Sequence, residues 1–181
     1  MENGREDQVE IRVLAAADAE AWSKLRVEGL EKDAEAFSSS LEEHRKLHPE
    51  EVQKRLAQEP QKFVMGAFSG GRLVGAAGFY RETGPKTRHK GHVWGVYVTA
   101  AMRGRGVGRK LMEALLSQAA KIDGLEQIQL AVTTTQTAAA SMYRSLGFEP
   151  FAREVKALKI GERYIDEEYL VLWLAEPREI T

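Results

Sequence analysis

HVWGVYVTAAMRGRGVGRKLMEALLSQAA, residues 92–120, sets the architecture of this chain. It opens as an apolar, β-branched run, passes through a glycine-rich loop and ends in a helical pattern. Period two predicts a strand over 91–98, with His92, Trp94, Val96 and Val98 on one face. Val107, Leu111, Leu115 and Ala119 recur at helical spacing, which predicts a helix from about Gly108 to Lys121. The loop between them, RGRGVGRK, holds three glycines and four cationic side chains. Glycines there allow positive φ and close backbone approach. Backbone N–H groups then converge at a helix start, where the dipole adds to them, and such a nest suits a phosphate. Arg103, Arg105, Arg109 and Lys110 add charge for a polyanion. Neither GxxxxGK[ST] nor GxGxxG spacing occurs, so a nucleotide P-loop and a dinucleotide fingerprint are both unsupported.

Outward from this unit, Val9–Leu14 alternates apolar and charged residues and reads as a first strand. Asp18 is placed to cap a helix to about Leu30, with Ala21, Trp22, Leu25 and Leu30 as its apolar stripe. Phe37–Ser40 reads as a loop, Leu41–Leu47 as a short helix, and Pro49 opens another to about Gln58. Lys62–Phe68 and Arg72–Arg81 form a hairpin around Ser69-Gly70-Gly71, its second arm apolar on both faces like a central strand. ETGPKTRHK, 82–90, is a loop. On the other side, Gln127–Val132 reads as a strand and Thr137–Leu146 as a helix ended by Gly147. Phe148–Phe151 and Tyr164–Trp173 close the pattern, with a loop over about Arg153–Tyr164. The order β-α-α-β-β-β-α-β-α-β-β describes one mixed α/β domain over 1–181, with polar tails at 1–8 and 176–181 read as flexible.

Composition narrows the function classes. The 43% hydrophobic and 29% charged residues fit a soluble globular protein, and a formal net charge of −1 gives no reason to expect nucleic acid or membrane as a partner. The absence of cysteine excludes disulfides, thiolate nucleophiles and thiolate-bound metal. His44 and His48 stand at a metal-compatible spacing, but no third ligand is evident, so they read as an exposed polar face and no metal is expected. The opening MENGREDQVE is polar and acidic, unlike a signal peptide, and no apolar stretch approaches the roughly 20 residues that span a bilayer. A cytoplasmic domain is the expectation, and a homodimer is compatible with it.

Two stretches carry a family resemblance. RGRGVG, 103–108, resembles the R/Q-x-x-G-x-G/A signature of the GNAT superfamily of N-acetyltransferases, and AAASMYRSLGFE, 138–149, is similar to that family's A-x-x-L-Y-x-x-x-G-F-E helix. The resemblance covers roughly Lys62 to Trp173. It implies a central twisted mixed β-sheet of about six to seven strands flanked by helices. It implies acetyl-CoA as cosubstrate, with its pyrophosphate on Arg103, Gly104, Arg105, Gly106, Val107, Gly108 and Arg109. The backbones of Val96, Tyr97 and Val98 would bind the pantetheine arm and the thioester oxygen, on a strand splayed from its neighbour. Gly95 is consistent with a bulge there.

Tyr143 matches the family tyrosine that protonates the sulfur of coenzyme A, and its face, shared with Ala139 and Leu146, turns the ring inward. Gln136 stands where the helix motif opens with a cofactor-contacting asparagine. The family's base position falls at or near His92, whose imidazole has a suitable intrinsic pKa. Glu82, His89 and Glu28 are rivals. The acceptor would enter beside 28–58 and 153–164, and the acidic residues of 28–58 would draw a cationic amine. The expected activity is acetyl transfer to a small primary amine. A peptide acceptor, or a non-catalytic acyl-CoA sensor, is the alternative. A nucleic-acid module lacks a second basic cluster and interleaved aromatics.

Overall fold

The structure is a computed structural model and describes residues 9–174; the polar ends read as tails, 1–8 and 176–181, lie outside the described residues. Seven strands form one sheet in the order β1-β2-β3-β4-β5-β7-β6. They are β1 (Glu10–Val13), β2 (Lys62–Ser69), β3 (Arg72–Arg81), β4 (Lys90–Val98), β5 (Gln127–Thr133), β6 (Glu149–Ile160) and β7 (Arg163–Trp173). Every pairing is antiparallel except β4 with β5. The helices are α1 (Ala19–Lys32), α2 (Leu41–Arg45), α3 (Pro49–Arg55), α4 (Val107–Ala119) and α5 (Thr137–Ser145). Among the described residues no helix is long and apolar enough to cross a membrane.

Two apolar cores lie on opposite faces of the sheet. One joins α4 and α5 to the sheet through Val107, Leu111, Leu115, Phe79, Ile128 and Phe148. The predicted stripe of α4 is buried in full, at 0–2% exposure. Val107, Leu111 and Leu115 each contribute about 1.5–3 kcal/mol by leaving water. The other core packs α1–α3 through Trp22, Leu25, Leu30, Val52 and Leu56 against Val64, Phe68 and Tyr97. The hairpin between β2 and β3 turns on Gly70 and Gly71, at φ +54° and +77°, a pair that matches strand twist.

Local chemistry sets several boundaries. Ser40 and Glu43 cap α2 reciprocally, with Ser40 N donating to Glu43 Oε2 at 2.6 Å and Glu43 N to Ser40 Oγ at 3.1 Å. Asp18 precedes α1 but does not cap it; its carboxylate accepts from Ala15 N and from Arg12, each at 2.8 Å. Ala21 is exposed, and Ala19 and Gly29 complete the buried face of α1 instead. Residues 56–58 lie beyond α3, and Leu47 lies outside α2. His44 is buried, set edge-on to Trp22 with Nε2 at 3.0 Å from Ser23 Oγ; the exposed-face reading fails because α2 leans onto α1.

Two larger corrections concern strands. β6 runs twelve residues to Ile160, so 153–164 is no loop but a hairpin arm turning at Gly161-Glu162. Its exposed side chains hid a strand whose backbone is satisfied by β7 rather than by burial. On β4, the single face expected for His92, Trp94, Val96 and Val98 does not exist. Trp94 opposes Gly78 but Tyr97 opposes Ala76, so β4 holds one extra residue. Gly95, at φ +62°, absorbs it. Beyond the bulge the alternation inverts: Val96 and Val98 join the α4 core, whereas Trp94 and Tyr97 join the α1 core.

Candidate active site

The parallel neighbours β4 and β5 pair only at Lys90–Gln127, Gly91–Ile128 and His92–Gln129. Past His92 they part: among the described residues no β5 residue pairs with the second half of β4. The gap opens into a cleft of about 440 Å³. It gathers eleven of the residues predicted to hold the cofactor: Val96, Tyr97, Val98, Arg103, Gly104, Gly106, Val107, Gly108, Arg109, Gln136 and Tyr143. Arg105 is exposed and does not line it.

The glycine loop leaves open space beside its backbone. Gly104 and Gly106 take φ +73° and +75°, and a Cβ on either would meet no protein atom within 4 Å. Gly106 caps α4, whose first backbone bond is Lys110 N to Gly106 O at 3.0 Å. The N–H groups before it have no helical acceptor, and Gly106, Val107, Gly108 and Arg109 line the cleft. Charge contributes less than the sequence implied. Arg103 Nε donates to the Val98 carbonyl at 3.0 Å and its guanidinium pairs with Asp33. Arg109 Nη1 donates to Ser145 Oγ, and its Nε pairs with Glu113, both at 2.8 Å. Arg103 and Arg109 thus have partners within the fold, and the positive-φ glycines and the start of α4 border the cleft beside them.

Tyr143 lines the same cleft. It is 5% exposed, edge-on to Phe148, and among the described residues its hydroxyl has no hydrogen-bond partner. Burial pushes the phenol above its ordinary pKa, so it stays protonated. It also lines a small second cavity with Gly95, Val96, Trp94 and Gln136. Tyr143 thus stands where the two spaces meet.

His92 lines neither space. It sits on the α1 face beside Trp94, stacked on Tyr80, with Nε2 at 2.7 Å from Glu82 Oε1. Hydrogen bonding from Thr87, then from His92, with Lys90 close by, holds Glu82 down at about 2. Glu28 accepts from Tyr97 Oη at 3.0 Å and from Thr99 Oγ1 at 2.7 Å.

The Acetyltransferase (GNAT) family model matches residues 28–148. The chain belongs to this family. N-alpha-acetyltransferase RimI of Mycobacterium tuberculosis is 41% identical over 91 residues, half of this chain and 54% of that protein. Mycothiol acetyltransferase of Thermobispora bispora is 32% identical over 143 residues, 76% of this chain and 45% of that one. The chain thus spans about half the length of these curated relatives. In solved structures, a GNAT-family acetyltransferase from Streptococcus pneumoniae superposes with a TM-score of 0.82 at 23% identity, covering 93% of this chain and all of that one. The structure of yncA from Salmonella typhimurium with its cofactor acetyl-CoA gives 0.80 at 22%, covering 96% and 98%.

As a GNAT fold the molecule accounts for the glycine loop, the parted strands and the tyrosine together. Sequence reasoning missed Asp33, which pins Arg103 and is joined to it only by the fold. It also passed over Arg26, which packs against Gly95 beside the small cavity, although Arg26 falls at i+4 from Trp22 and i−4 from Leu30, inside the apolar stripe of α1.

Proposed function

We propose that the protein is an acetyl-CoA-dependent N-acetyltransferase acting on a small primary amine, with Tyr143 as general acid. The observation that carries this reading is the partnerless Tyr143 hydroxyl at the junction of the two spaces. Open space over Gly104 and Gly106 fits a pyrophosphate, and the β4 backbone at Val96 and Tyr97, past the last pairing with β5, fits the pantetheine arm. Bound acetyl-CoA supplies an activated acetyl group and a sulfur that must leave with a proton. Tyr143 gives its phenolic proton to that sulfur, a step favoured by a site that keeps the phenol neutral. Donors on the β4 backbone polarise the carbonyl. Gln136, at the start of α5, holds the cofactor side of the junction through its amide.

The amine must reach the carbonyl uncharged. We assign proton removal to His92 acting through water, with Glu82 accepting from Nε2 and leaving Nδ1 as acceptor in the neutral ring. Its support is its place on β4 two residues before Trp94, which borders the small cavity. Glu28 is a poorer base because two hydroxyls already occupy it. The 41% identity to a protein N-alpha-acetyltransferase favours a second reading, a peptide N-terminus as acceptor. Acceptor competition tests both: coenzyme A release is measured with free amines and amino acids against N-terminal and lysine-containing peptides. Release with small amines supports the proposal, release with peptides alone supports the second reading, and binding of acetyl-CoA without release to any acceptor leaves a sensor.

A further inference from the structure

Most of the acidic rim expected to draw a cationic amine is engaged within the fold. Glu28 pairs with Lys32, Glu31 with Arg45, Glu42 with Lys46, Asp33 with Arg103 and Glu35 with Arg163. Glu43 and Glu51 accept from the backbone N–H groups of Ser40 and His48. What lies behind that rim is cationic. A cavity of about 390 Å³ between α1, α2 and α3 is lined by Arg26, Arg55, His44, Ser38, Ser39 and Glu43. Glu43 is its one carboxylate, already engaged by Ser40. Among the described residues neither Arg26 nor Arg55 forms an ion pair.

Arg26 carries the inference. Its Nη2 donates to Ser39 Oγ at 2.6 Å and its guanidinium lies 4.4 Å over the Phe37 ring. Its Nη1 is buried with no hydrogen-bond partner. Burial, then the charge of Arg55, pushes the guanidinium down to about 10. Such a buried, unsatisfied donor on a cation is costly unless something accepts from it. That same Nη1 would lie 3.3 Å from a Cβ built on Gly95, the bulge residue that lines the small cavity with Tyr143. A free cationic donor thus stands beside the strand segment where the acetyl group would be presented.

We infer that this pocket holds the carboxylate of the acceptor, so that the substrate is an amine carrying a carboxylate close to its amino group, an amino acid rather than a polyamine. The inference rests on the acetyltransferase reading of the cleft. The Arg26 guanidinium donates to the carboxylate through Nη1, which the fold leaves without a partner, and Arg55 adds a second positive charge; Arg26 packs against Gly95, which lines the small cavity with Tyr143. A guanidinium suits this because its planar donors match a carboxylate in both geometry and charge.

The test compares proteinogenic amino acids with their decarboxylated amines, in wild type, Arg26→Gln and Arg26→Lys. In wild type, kcat/KM for the best amino acid should exceed that of its amine at least about 100-fold, a ratio set by a charge-assisted pair. Arg26→Gln should collapse that ratio to below about tenfold through KM, and Arg26→Lys should restore part of it. Acetyl-CoA affinity by calorimetry reports whether each variant is folded. Amines preferred over amino acids, or a ratio unmoved by Arg26→Gln, would overturn the inference while leaving the transferase reading intact. If no acceptor of any kind is acetylated, the transferase reading fails instead. Calorimetric titration of the amino acids into acetyl-CoA-loaded protein then decides the pocket: binding lost in Arg26→Gln supports it, and no binding in wild type overturns it.

Discussion

Arg103 and Asp33, seventy residues apart, are joined by an ion pair at the mouth of the cleft. Because Arg103 also donates to the Val98 carbonyl, one side chain ties the end of β4, the glycine loop and the end of α1 together. Its charge is spent before any ligand arrives, which favours a backbone nest over an arginine cluster as the phosphate-binding device.

If the nest dominates, Arg103→Gln weakens acetyl-CoA binding only modestly, by less than about fivefold, the upper range for a half-exposed pair. Gly106→Val acts differently. Its Cβ meets no protein atom, so the protein stays folded at a strain cost of about 1–3 kcal/mol, while the branched side chain fills the space the ligand needs. Calorimetry on both variants should give a loss at least tenfold greater for Gly106→Val.

Tyr143→Phe should preserve acetyl-CoA affinity and lower kcat by roughly 100-fold or more, the usual worth of a positioned acid. The upward shift from burial also means that loss of the Tyr143 proton should produce no fall in kcat below about pH 10, the ordinary tyrosine value. A pH profile of kcat checks this.

Gly78 lies under Trp94: a Cβ there would stand 2.1 Å from the indole Cε2. Gly78→Ala must push the indole out of place, with a stability cost of about 1–3 kcal/mol. Trp94 borders the small cavity but not the cofactor cleft. Thermal denaturation should show the destabilisation, and KM should rise for the acceptor more than for acetyl-CoA.

Glu82 gives a pH signature. Its folded value near 2 lies below the ordinary 4.5, so its stabilising contribution is complete above about pH 4.5 and is lost as pH falls toward 2. In Glu82→Gln the decline of stability across that window should be shallower than in wild type. Denaturant midpoints at pH 6, 4 and 2.5 measure it.

The strand, glycine loop and helix at 92–120 were legible in the sequence because each is encoded locally: a branched apolar run, glycines at positive φ, and the stripe of Val107, Leu111, Leu115 and Ala119. The hairpin at Gly70-Gly71 and the stop at Gly147 were legible for the same reason. The face inversion at Gly95 was not, because period-two reasoning assumes an unbroken pleat and the extra residue shows only against β3. The full length of β6 escaped because a strand pairing on one edge need not bury its side chains. Most of the candidate cleft was readable from two motifs. The engagement of Arg103 by Asp33, the burial of His44 and the orphan donor of Arg26 were not, since each depends on helices packing across the sheet.

The most direct measurement is acceptor-dependent release of coenzyme A, followed with a thiol reagent to which this cysteine-free chain contributes no background. Wild type should release thiol from acetyl-CoA only when an amine acceptor is present, and Tyr143→Phe should bind acetyl-CoA normally while losing roughly 100-fold in that rate. Thiol release that ignores the acceptor, or a Tyr143→Phe rate equal to wild type with the best acceptor, would contradict the account.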